Sequence, residues 1–172
     1  MPSSIHFGKH ADAIRDATRL RPRHIISCLD PGCHRPRFPG VRVLHHLCLE
    51  FDDVEHEALN GARPPGDEDM ERVLRLNHHA QGEDIFVHSH QGLGRAATIA
   101  YVLMCLRHPA GREADVALCI GDRAPFVRIN RRMVEIADRL SGRNGLLTAG
   151  LTAMQPPTAR HCAATVSLPP SL

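Results

Sequence analysis

The stretch that most limits what this chain can become is Ile85-Phe86-Val87-His88-Ser89-His90-Gln91-Gly92-Leu93-Gly94-Arg95 together with the segment after it. A short apolar run bounded by Asp84 reads as a buried strand, and it passes through two glycines directly into Ala96 to Leu106. That last segment is apolar almost all round and stops before Pro109, which predicts a helix in the centre of a domain. A strand, a tight glycine turn and a helix N-terminus in this order gather backbone N–H groups about one point and add the helix dipole. The result is a cradle for an anion. Arg95, at the helix start, carries a planar fork that grips two oxygens of a phosphate.

The rest of the chain supplies partners for that unit. His24 to Leu29 is a second apolar run closed by Asp30-Pro31-Gly32, a turn signal. Val41 to Leu49 is a third, ending in Glu50-Phe51-Asp52-Asp53, so carboxylates gather at its C-terminal end. Asp67, followed by Glu68, Asp69 and Glu71, fits a helix N-cap, and Met70, Val73, Leu74 and Asn77 share one face of that helix. Helices are also expected over 112–120 and 130–140, the latter with Met133, Ile136, Ala137 and Leu140 at helical spacing. Strands alternating with helices predict an α/β fold with a mainly parallel central sheet flanked by helices. The expected domain is 1–145. Beyond Gly142 the pattern fades into Ala, Thr, Pro and Gly, and 146–172 reads as a flexible C-terminal tail.

Composition bounds the function. The 172 residues carry a formal net charge of +2 with Arg scattered among Asp and Glu, so there is no electrostatic case for nucleic acid or an anionic membrane. No run approaches the roughly 18 apolar residues that span a bilayer, and the opening residues lack the apolar core of a signal peptide, so a cytoplasmic location is expected. Cys28, Cys48, Cys105 and Cys119 sit in apolar runs at irregular spacing, as reduced core cysteines do. The 13 histidines include His45-His46 and His78-His79, but neighbours on a strand point to opposite faces, which argues against a shared metal. No cofactor is expected.

The loop His88-Ser89-His90-Gln91-Gly92-Leu93-Gly94-Arg95 resembles that of the cysteine-dependent protein tyrosine phosphatases, His-Cys, five residues, Arg, with glycine three residues after the cysteine position. Ile25 to Pro31, Leu49 to Asp53 and Arg123 to Arg132 extend the likeness to the small bacterial, rhizobial-type branch, over residues 20–145. The resemblance implies that residues 89–95 bind the phosphate, that His88 helps fix the loop, and that an aspartate protonates the leaving group. Asp53 is the first choice for that acid and Asp52 the second.

The departure at position 89 matters most. Ser89 stands where the nucleophilic cysteine belongs. A cysteine in such a cradle ionises near neutral pH, whereas a serine hydroxyl needs a general base, and nothing in the sequence supplies one with its orienting group. Ala96 stands where the family usually has a Ser or Thr hydroxyl, and Thr98 is too far round the helix to be assumed in its place. The leading expectation is a pseudophosphatase that captures phosphotyrosine, phosphoserine or phosphothreonine, or a small phosphomonoester, without efficient turnover. Two alternatives stay open: an active phosphatase whose native residue 89 is cysteine, here a substrate-trapping mutant, and a scaffold that no longer binds phosphate.

Overall fold

The computed structural model describes residues 3–56, 61–161 and 164–172. Among them, strands β1 (Ile5–Lys9), β2 (His24–Leu29), β3 (His45–Glu50), β4 (Ile85–Ser89) and β5 (Val166–Leu168) form one sheet in the order β3-β2-β4-β1-β5. The first four run parallel to their neighbours, and β5 adds on antiparallel to β1. This is the mainly parallel α/β architecture that the alternation of strands and helices predicts. β2 and β4 occupy the middle and are buried along their whole length, which is why they read as continuous apolar runs.

The two faces of the sheet are covered differently. Helix α1 (Ala13–Leu20) and the 33–44 loop cover one, where Ile25 and Phe86 pack against Ala13, Ala17, Phe38, Val41 and Val43. The opposite face, with Ile26, Cys28 and Val87, packs on α3 (Arg95–Arg107). Every residue of α3 from Arg95 to Cys105 is buried, and α2 (Asp67–His79), α4 (Glu113–Arg123) and α5 (Arg131–Ser141) pack around it. A helix enclosed on all sides needs no polar stripe, and the sequence has none.

Several expected boundaries move. β3 begins at His45, because Val41 and Val43 donate to Phe38 and Val41 carbonyls in a turn. The N-cap of α2 is Gly66, whose amide donates to Asp69 Oδ2 at 3.0 Å, and Asp67 is the first helical residue. The 146–172 segment, expected as a flexible tail, does not hang free in its described part. Leu146–Gly150 forms α6, Thr158 and Ala159 amides donate to the Pro125 carbonyl, and β5 closes the sheet edge with the Thr165 hydroxyl on Asp16. Its low-complexity composition hid two buried anchors, Val166 and Leu168, which matter only once β1 is beside them. No described helix is long and apolar enough to cross a membrane.

Candidate anion-binding site

β4 ends at Ser89 and α3 starts at Arg95, so the loop between them sits at the C-terminal edge of the parallel strands, where α/β sheets place their ligands. Gly92 turns with φ +69°, and a Cβ there would lie 2.8 Å from the Gly8 carbonyl carbon. Glycine therefore lets the loop lie flat against the end of β1. The amides of His90 to Gly94 find no acceptor among the described residues. The Ala96 amide, in the first turn of α3, donates to Ser89 Oγ at 3.4 Å.

Ser89, His90, Gln91, Leu93, Gly94 and Arg95 line a cavity of about 180 Å³ with Asp30 and Asp53. Of the expected loop residues, Gly92 alone is outside the lining. Asp53 accepts from Asn130 Nδ2 at 2.8 Å through Oδ1, and its Oδ2 lies so close over Gly94 that a Cβ there would collide with it. Asp52 is directed elsewhere. Its Oδ2 accepts from the Arg63 amide at 2.7 Å and its own amide donates back to the Arg63 carbonyl, closing the base of the intervening loop. Between the two aspartates considered for one role, only Asp53 faces the cavity.

Arg95 is 5% exposed. Its Nη1 donates to the Phe51 carbonyl and its Nη2 to Asp30 Oδ1, both at 2.6 Å, while Nε is buried with no partner among the described residues. Thr98 cannot act on Ser89, because its hydroxyl donates to the Gly94 carbonyl at 2.9 Å and accepts from the Asn130 amide at 2.9 Å. No described histidine or carboxylate is hydrogen-bonded to Ser89 Oγ.

His88 lies behind the loop on the other face of the sheet. It is fully buried, shares a hydrogen bond with Ser27 Oγ at 2.6 Å through Nε2 and approaches His10 Nδ1 at 3.4 Å. Burial, reinforced by the nearby His10 and His46, lowers its pKa to about 3, so it is neutral at physiological pH. Ser27 bridges onward to His46 Nε2 at 2.8 Å.

No protein-family model matches the sequence, and no curated protein matches it. Solved structures do. The Yvh1 phosphatase domain from Chaetomium thermophilum superposes with a TM-score of 0.59 at 16% identity, over 85% of this chain and 94% of that one. The human tyrosine phosphatase-like serine/threonine/tyrosine-interacting protein does so with 0.57 at 13%, over 83% and 97%. PTPMT1 in complex with PI(5)P gives 0.56 at 16%, over 84% and 92%. The chain has the protein tyrosine phosphatase fold. At these identities the likeness is one of fold, and the loop between β4 and α3 takes its interest from its own geometry.

Sequence reasoning about this phosphatase-fold site missed three contributors. Asp30 read only as a turn residue, yet it pairs with Arg95 across 65 residues of sequence. Asn130 read as a helix start, which it is, its Oδ1 accepting from the Met133 amide at 3.1 Å, but the same side chain also holds Asp53. The Phe51 carbonyl has no sequence signal at all. The described residues hold no group of three or more His, Cys, Asp or Glu able to bind a metal.

Proposed function

We propose that the chain is a tyrosine phosphatase-like protein of the small bacterial branch that holds phosphomonoesters in the 89–95 loop with little or no turnover. Arg95 carries the argument: a buried guanidinium at the mouth of a loop whose amides, like one buried N–H of Arg95 itself, have no acceptor among the described residues. A buried donor left unpaired costs about 1–3 kcal/mol. An oxyanion seated on the loop amides supplies the missing acceptor, and its charge is drawn there by the helix dipole.

Turnover is the step for which support is lacking. Ser89 Oγ has one described partner, a backbone amide that donates to it, so no described group is placed to take its proton. His90 shares the cavity without a hydrogen bond to Ser89, and His88 is turned to the opposite face of the sheet. The ligand class is a phosphorylated protein side chain or a small phosphomonoester. Among the fold neighbours, one is named serine/threonine/tyrosine-interacting and another was solved with PI(5)P. We take the cytoplasm as the location, since the described cysteines are all free thiols.

The experiment is a paired one on the full chain: calorimetric binding of phenylphosphonate beside hydrolysis of an aryl phosphate. Saturable binding without hydrolysis is the expected result. Absence of binding, or turnover at an ordinary phosphatase rate, defeats the reading. One observation favours a second reading, an enzyme with cysteine at position 89. Asp53 is held over Gly94 by Asn130, a placement useful to a proton donor for a leaving group. A cysteine codon at position 89 of the native gene decides for it.

A further inference from the structure

The two protein acceptors on Arg95 differ in kind. Phe51 is fully buried and its carbonyl belongs to the chain leaving β3, so that bond is part of the fold. Asp30 contributes a side chain that is 47% exposed, at the end of β2, in the Asp30–Cys33 turn closed by the Cys33 amide at 3.1 Å with Gly32 at φ +80°. Among the described residues its carboxylate is hydrogen-bonded to Arg95 alone. A carboxylate and a phosphoryl group offer a guanidinium fork the same kind of acceptor oxygens, and Nη2 with the unpaired Nε forms one edge of that fork. Asp30 already holds Nη2, so a phosphoryl oxygen arriving on that edge is brought against its carboxylate. Asp53 adds a second carboxylate to the same small cavity, so an entering anion meets one guanidinium and two carboxylates.

We propose that Asp30 is the specificity-determining residue of this seat: a tethered competitor on the Arg95 fork, which a phosphoryl group has to displace and which disfavours doubly charged ligands most. The inference rests on reading the 89–95 loop as a phosphate cradle. Displacement is open to Asp30 because it is half exposed and regains water when it leaves, whereas Arg95 stays in place through Phe51. Repulsion between Asp30 and the ligand grows with each unit of ligand charge, so the penalty is larger for a dianion than for a monoanion of the same shape. A role in positioning Arg95 makes the opposite prediction, since removing a positioning group weakens binding.

The test uses the full chain with Asp30→Asn, Asp30→Ala and Arg95→Ala, titrated at pH 8 with phenylphosphonate, which is doubly charged there, and with benzenesulfonate, which carries one charge on a similar frame. Both Asp30 variants should bind phenylphosphonate about tenfold more tightly than the wild type, the factor that one unit of like charge at close range produces in a partly exposed site. The gain for benzenesulfonate should be smaller, about threefold, and Arg95→Ala should lose both ligands. If the wild type binds, Arg95→Ala does not, and the Asp30 variants bind more weakly or equally, the competitor role is overturned and the cradle stands. If wild type and Arg95→Ala are alike, the cradle itself is overturned and this inference with it.

Discussion

Ser89 and Cys28 sit side by side, paired in register on the neighbouring parallel strands β4 and β2. Strand spacing sets them about 4.8 Å apart. Both are nearly inaccessible, at 3% and 1% exposure, and the Arg95 charge is felt by Cys28 as well. Yet the two positions are chemically unlike. Cys28 is a thiol inside the strand body, where burial pushes its pKa up to about 12, with Arg95 only partly offsetting that. Ser89 is the last residue of its strand, where the chain leaves the ladder and an amide of the next helix turns to its side chain. A nearby guanidinium therefore does not make a thiolate. In the proposed cradle, what makes one is the end of a strand that opens into amides with no acceptor among the described residues, and Cys28 lies one strand away from that place.

A second thiol, placed at the end of β4, separates the two environments most strongly. Ser89→Cys should create a cysteine with a depressed pKa, in the range of roughly 3.5–7.5 known for such environments, against about 12 for Cys28. At pH 6 the thiolate fractions then differ by roughly five orders of magnitude. Alkylation by iodoacetamide, followed by mass spectrometry of the peptides, should modify residue 89 within minutes and leave Cys28 untouched. Slow, alkaline alkylation at both positions would show that the loop lacks the electrostatics inferred for it.

Removing the arginine tests the same contrast through the ligand. In the proposed cradle Arg95→Ala deletes a charge-assisted grip of two contacts, each worth about 1.5–3 kcal/mol, so phenylphosphonate binding should fall about a thousandfold. Lys should restore only part of it, as a point charge without the fork. Retained binding in Arg95→Ala, measured by calorimetry, would move the anion site away from this loop.

How much of this was legible beforehand follows from the range of the interactions involved. β2 was readable to its last residue, and the β4-loop-α3 unit to within one or two, because burial on all sides writes a largely apolar run closed by turn residues. β1 was not, since His6 and Gly8 interrupt its pattern. It becomes a strand by pairing with β4 on one edge and β5 on the other. The loop glycines and Arg95 were legible because they are adjacent in sequence. The choice between Asp52 and Asp53 was not, because it depends on Asn130, 77 residues from Asp53. Asp30 was invisible as a site residue for the same reason.

A third, smaller effect concerns His88, which precedes Ser89 but points to the opposite face. It is held neutral, its pKa lowered from 6.5 to about 3 chiefly by burial. The unfolded chain binds a proton there between these two values and the folded chain does not, so stability is lost as pH falls through that window. Between pH 7 and pH 5 the wild type should lose about 2 kcal/mol more than His88→Gln in urea unfolding, a contribution worked from roughly 1.4 kcal/mol per pH unit. His6 and His46, also lowered by burial, give a residual slope of the same sign in the variant. Equal slopes would mean that His88 carries a proton in the fold, and with it a positive charge next in sequence to the proposed anion loop.

The effect of trimming Cys28 should be smaller still. If Cys28 is a core residue that merely neighbours the site, Cys28→Ala should leave phenylphosphonate binding within about twofold of the wild type, because no hydrogen bond to the cavity is lost and Cys28 is absent from its lining. Its cost should appear in stability alone, about 1 kcal/mol for a small buried side chain trimmed at a packed position. Ala is the informative substitution, since Ser would bury a hydroxyl in the apolar cluster of Ile26, Val87 and Leu49 and confound the two readouts. Binding and urea unfolding measured on the same preparation separate them. A tenfold or larger loss of binding with unchanged stability would make Cys28 part of the site. Ser89 and Cys28 would then work together, and position along the strand would no longer distinguish them.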